Sequence, residues 1–179
     1  MAILRRAARG TAVGLVAVLL GGNARAQQFV PPEDGDGAPV RFGLFGFGAR
    51  AGVDFAGRNQ AIASVTLDAG DVFTNRLRFR PSVEIGVGDP ATTYVGNAEI
   101  LYRFTPDTEL AVPYVGFGAG VWGQQQCNQV VACPGFWFQT VLGFELQLRD
   151  QINWLLEYHG EDALRRHRFF IGLTTRRGS

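Results

Sequence analysis

The chain has 179 residues, 17 arginines and no lysine, 16 carboxylates and a formal net charge of +1. Four of the arginines (Arg5, Arg6, Arg9 and Arg25) fall in the first 26 residues, so the remainder is mildly acidic. That balance argues against nucleic acid as a partner, and the length beyond residue 26 suits one domain.

Residues 1–26 read as a cleavable secretory signal. Arg5, Arg6 and Arg9 form its basic start, Thr11 to Leu20 its apolar stretch, and Ala24-Arg25-Ala26 a small-x-small cleavage pattern. The apolar stretch is shorter than the roughly 20 residues a spanning helix needs. Residues 27–39 hold Pro31, Pro32, Pro39, Gly35, Gly37, Glu33, Asp34 and Asp36, the composition of a flexible periplasmic leader. Within it, Asp34-Gly35-Asp36-Gly37 matches part of a calcium loop but lacks the terminal glutamate and flanking helices.

From residue 40 to 175 the hydrophobic period is two, which predicts strands. Over 42–55, Phe45, Phe47, Ala49, Ala51, Val53 and Phe55 share one face, and Gly46, Gly48, Arg50, Gly52 and Asp54 the other. Residues 61–70 set Ala63, Val65, Leu67 and Ala69 against Ser64, Thr66, Asp68 and Gly70. Over 77–87, Leu77, Phe79, Pro81, Val83, Ile85 and Val87 alternate with Arg78, Arg80, Ser82, Glu84 and Gly86. Over 93–104, Tyr94, Ala98, Ile100, Tyr102 and Phe104 oppose Asn97, Glu99 and Arg103. Over 110–122, Val115, Phe117, Ala119 and Val121 oppose Tyr114, Gly116, Gly118, Gly120 and Trp122. Residues 137–148 set Phe138, Leu142, Phe144, Leu146 and Leu148 against Gln139, Gly143, Glu145 and Gln147. Residues 152–159 set Ile152, Trp154, Leu156 and Tyr158 against Asn153, Glu157 and His159. Over 166–175, Phe169, Ile171 and Leu173 oppose Arg168, Gly172 and Thr174. Eight segments result, followed by a short tail at 176–179. Pro81 and Pro113, which cannot donate to a ladder, are expected at bulges near the rim.

Connections at Asp71–Asn75, Thr105–Thr108 and Arg149–Gln151 read as short. Those at Ala56–Asn59, Gly88–Thr92, Gly123–Gly135 and Gly160–Arg165 read as longer, the asymmetry of a membrane barrel with both termini in the periplasm. The longest contains Cys127 and Cys133, an even, close pair in an exported chain, and so predicts a disulfide at an external loop tip.

The polar face identifies the solvent on either side of the wall. Arg50, Arg78, Arg80, Arg103 and Arg168 fall on it with Glu84, Glu99, Glu145 and Glu157. Nine charges distributed over six strands do not fit an apolar core. They fit a lumen in which they pair, with glycines making room and the apolar face turned to lipid. Phe55, Tyr94, Phe104, Trp122, Trp137, Trp154 and Tyr158, near strand ends, are expected to form interfacial girdles. The fold expected is therefore all-β: an eight-stranded antiparallel transmembrane up-and-down barrel with a polar, glycine-rich lumen.

The region resembles the small outer-membrane β-barrels, the OmpA/OmpX-like and opacity-protein-like eight-stranded barrels. The resemblance is carried by Leu77–Gly86 (LRFRPSVEIG), Asn97–Phe104 (NAEILYRF), Val112–Gly120 (VPYVGFGAG) and Arg168–Thr174 (RFFIGLT). It implies the bacterial outer membrane as location, with outer-membrane lipid, lipopolysaccharide and the barrel-insertion machinery as partners and an extracellular ligand at the loops. Such proteins usually end on an aromatic residue read by that machinery; here the last aromatic is Phe170.

No cofactor or metal is expected, and no catalytic set. His159 shares a strand face with Glu157 and has Asp162 nearby, but no serine is close and Gly160 follows it, unlike the His-x-Ser of the lipid A deacylases. The Gly-x-Gly-x-Gly run of 116–120 continues a strand and opens no helix, which a phosphate loop needs. The expected function is non-enzymatic: envelope integrity or surface interaction. The alternatives are a barrel enzyme modifying lipid or lipopolysaccharide, which would depend on His159, and an exported soluble lipocalin-like barrel with inverted polarity.

Overall fold

A computed structural model describes residues 41–56, 59–88, 91–125, 127 and 133–177. The signal (1–26) and leader (27–39) assigned above lie outside them. Eight strands follow one another: β1 (Arg41–Ala56), β2 (Gln60–Asp71), β3 (Leu77–Val87), β4 (Thr93–Arg103), β5 (Ala111–Gln124), β6 (Gly135–Arg149), β7 (Ile152–Glu161) and β8 (Arg166–Thr175). Each pairs antiparallel with the next, and β8 pairs with β1, so the sheet closes on itself. The expected architecture is what forms.

Burial alternates residue by residue along the strands. The side chains turned inward include all the charged ones singled out above, with a smaller apolar set such as Leu101, Val141 and Leu155, and the exposed ones include many large apolar residues: Phe47, Val65, Val83, Phe117, Phe138, Leu142 and Ile171 among them. From Phe136 to Leu148, β6 rises about 40 Å along its axis, or about 30 Å across a bilayer at a tilt of about 40°. That matches a hydrocarbon core.

Three sequence expectations need correction. Trp137 is not in a girdle: it is 5% exposed, faces the lumen and stacks on Trp122 with ring centroids 5.8 Å apart. Its place in the alternation, one step before Phe138, decides this over its nearness to a strand end. The exposed aromatics at the strand ends are Phe55, Tyr94, Phe136 and Phe169 at one mouth and Phe42, Tyr102, Phe104 and Trp154 at the other. Loop asymmetry is slight: only the connection between Gln124 and Gly135 is long, while β4–β5 spans Arg103 to Ala111 on the opposite side.

The prolines behave differently from each other. Pro81 lies across from the β2–β3 register shift between Thr66 and Gly70, so its missing donor falls where the ladder is already interrupted. Pro113 lies just past the last β4–β5 pair, Arg103↔Tyr114, where no bulge is needed.

The β2 bulge depends on Gly70, whose φ is +119° and whose missing Cβ leaves room for the Arg41 carbonyl. Replacing it with alanine combines backbone strain with a steric overlap, so Gly70→Ala is expected to lower unfolding free energy by about 2 kcal/mol in a urea titration of detergent-folded protein.

Candidate functional site: the charged lumen

Eight strands enclose a space that side chains fill. All nine charged residues singled out above are in it, each no more than 5% exposed, and they fall into two groups.

The larger group surrounds Glu157. Arg50, from β1, ion-pairs with Glu157, donates to Glu84 at 2.8 Å and lies 3.5 Å from Glu99. Its Nε donates to the Ser64 hydroxyl at 3.1 Å, and its guanidinium stands 4.6 Å from the centre of the Phe170 ring. Arg80, opposite Glu99 on β4, donates to that carboxylate at 2.7 Å and reaches Glu157 at 2.5 Å. The Tyr114 hydroxyl donates to Glu157 at 2.5 Å, and Gln139 donates to Glu99 at 2.7 Å. Arg168 extends the group to Glu84 and Glu161, each at 2.8 Å, and to Asp54 at 3.6 Å. Arg166 and Arg168 also lie over the Trp137 ring, at 5.0 and 5.3 Å.

The second group lies toward the other mouth. Arg78 pairs with Asp107 at 2.6 Å and Asp68 at 3.2 Å, and lies 3.8 Å from Glu145. Arg103 pairs with Asp107 and reaches Glu145 at 3.4 Å, while Asn153 donates to Glu145 at 2.9 Å. Leu101, Tyr114, Val141 and Leu155 form an apolar cluster in the lumen.

The nine residues are therefore brought together as two networks rather than one. Sequence alone missed further members. Asp54 and Asp68 stand on the same face in the alternation, and Glu161 is two residues past His159 on a strand that runs further than expected. Asp71 and Arg177 join from a strand end and from the segment after β8.

His159 is fully buried, with Nε2 3.2 Å from both Glu157 and Arg50 and its ring against Phe170. Its nearest polar neighbours are thus one carboxylate and one guanidinium, and the same guanidinium donates to the Ser64 and Ser82 hydroxyls, so the fold brings into this lumen serines that are distant in sequence. Among the described residues, no group of three or more His, Cys, Asp or Glu is arranged to hold a metal. Cys127 and Cys133 are joined in a disulfide, with Cα atoms 5.7 Å apart, in the β5–β6 connection.

No family model matches the chain, and no curated protein does. Solved structures do. The N-terminal β-barrel domain of Pseudomonas aeruginosa OprF aligns with a TM-score of 0.56 at 12% identity, covering 74% of this chain and 97% of that one. A de novo designed transmembrane β-barrel gives 0.51 at 11% identity, covering 75% and 97%. Neisserial surface protein A gives 0.50 at 10% identity, covering 75% and 95%. This is the fold of the small outer-membrane β-barrels. At such identities it is the barrel architecture that is shared.

Proposed function

We propose that the chain spans a bacterial outer membrane as a closed, non-enzymatic barrel, and that its role is envelope integrity or surface interaction through the loops. The observation that carries this is the polarity of the wall: ion pairs inside, and a continuous surface of Phe, Leu, Val and Ile outside. In water that surface would be a large aggregation liability, whereas in lipid it is the solvated face. The same polarity is opposite to what a soluble ligand-binding barrel needs. Outer-membrane lipid and lipopolysaccharide would bathe it, and insertion would follow signal cleavage with help from the insertion machinery. The disulfide connection would project outward, where a small closed ring limits loop conformations and suits recognition of an extracellular ligand.

A filled lumen implies little transport. Vesicles carrying the purified barrel are expected to release trapped sucrose no faster than protein-free vesicles. Rapid release would replace the closed-barrel reading with a channel.

A further inference from the structure

Seven of the eight adjacent strand pairs are joined by a connecting loop; the eighth, β8 against β1, has none and is held by its ladder and side-chain contacts. That seam is also incomplete. Its ladder runs from Ala56↔His167 to Gly48↔Thr174, yet β1 begins at Arg41, so residues 41–47 extend beyond the last pair. Side chains continue the pairing locally. The Phe47 N–H donates to the Thr175 hydroxyl at 2.9 Å, and the Thr174 hydroxyl donates to the Phe47 carbonyl at 3.4 Å. Gly46 leaves the space that Thr175 occupies.

Beyond β8 the chain turns across this mouth. The Arg176 N–H donates to the Gln151 carbonyl in the β6–β7 turn at 2.9 Å. Its guanidinium donates to the carbonyls of Thr108, at 2.5 Å, and Glu109, at 3.5 Å, in the β4–β5 connection. Arg177 reaches the other way. It passes 4.4 Å from the centre of the Phe45 ring on β1 and forks onto β2, where Nε donates to Asp68 at 2.6 Å and a terminal nitrogen to Asp71 at 2.5 Å. Asp68 is held ready for it by the Gly70 N–H at 3.2 Å and by Arg78.

We propose that Arg176 and Arg177 form a latch on the closing seam, bracing β8 to β2 over the overhanging start of β1 and to two turns of the same mouth. A charged fork has the geometry for this, since a guanidinium binds two carboxylates at fixed angles. The fork is also largely shielded from water: the Arg177 side chain is 14% exposed. The latch sets how readily the cylinder opens along the one line where no loop restrains it.

Amide hydrogen exchange on the full-length, detergent-folded protein tests this. In Arg177→Ala, exchange at Gly48–Arg50 and Gly172–Thr174 is expected to rise on the order of tenfold, the scale of losing a charged hydrogen-bond pair. Exchange at Gly116–Gly120 and Val141–Gly143 should be unchanged. Asp68→Asn with Asp71→Asn should give the same rise, and adding Arg177→Ala to that pair should add little. Parent-like exchange at the seam overturns the latch, and so does an equal rise in β5 and β6, which marks general loosening. Should Arg177→Ala fail to fold, Arg177→Gln carries the same expectations and the same refutations.

Discussion

Glu157→Ala is expected to cost more stability than any other single lumenal change, about 3–5 kcal/mol, read from urea unfolding of the detergent-folded barrel. Among the described residues, Glu157 is the one carboxylate that meets both Arg50 and Arg80 and also accepts the Tyr114 hydroxyl. Removing it takes one carboxylate from each of two buried guanidiniums. Arg50 retains Glu84, and Arg80 retains Glu99, but each keeps a more open fork than before. The loss therefore reflects the cost of leaving buried charge under-paired more than the worth of the pair. A double variant, Glu157→Ala with Arg50→Ala, should lose less than the two single losses combined, because it removes charge of both signs. Glu109→Ala, in an exposed turn, should change stability by less than about 0.5 kcal/mol.

The second large effect lies on the outer surface. Leu142 is 52% exposed in the middle of β6 and points away from the lumen. On a water-facing wall Leu142→Arg would be nearly neutral. On a lipid-facing wall near the bilayer midplane it is expected to cost about 2–4 kcal/mol and to reduce insertion into vesicles. Gln151→Arg, in the β6–β7 turn, places the same charge at the water boundary and should cost little by comparison. The contrast between the two positions measures which solvent surrounds the wall, independently of how stable the barrel is.

Much of the fold was legible because strand periodicity carries the face assignment with it. Once Arg80, Ser82 and Glu84 share a face, a slip of one residue would place all of them in lipid, so the register is strongly specified. Hydrophobic contrast is lost where both faces are apolar. Ile100, Leu101 and Tyr102 run together, as do Trp154, Leu155 and Leu156, and Phe169, Phe170 and Ile171. In each run it is the phase of the flanking charges, Glu99 and Arg103, Asn153 and Glu157, and Arg168, that puts Leu101, Leu155 and Phe170 on the inward face, and the barrel buries all three.

The partners within the lumen were less legible still. Arg50 meets Glu157 across 107 positions of sequence, because the stagger of eight tilted strands sets their heights. Local alternation records which way a side chain points and says nothing of that height. For the same reason the charges could be placed on one face from the sequence, while their division into two networks could not. Trp137 shows the hazard of a rule based on position alone: proximity to a strand end suggested an interfacial ring, but its phase in β6 puts it over the lumenal arginines.

The central claim is that a closed barrel sits in the outer membrane with its apolar face in lipid. Fractionation of expressing cells, followed by gel electrophoresis of the outer-membrane fraction with and without heating, tests it most directly. The account predicts a detergent-resistant membrane band whose mobility shifts on heating, as a folded barrel opens. Recovery of the folded protein in the soluble periplasm would contradict it, since a wall with this polarity could not then be facing lipid.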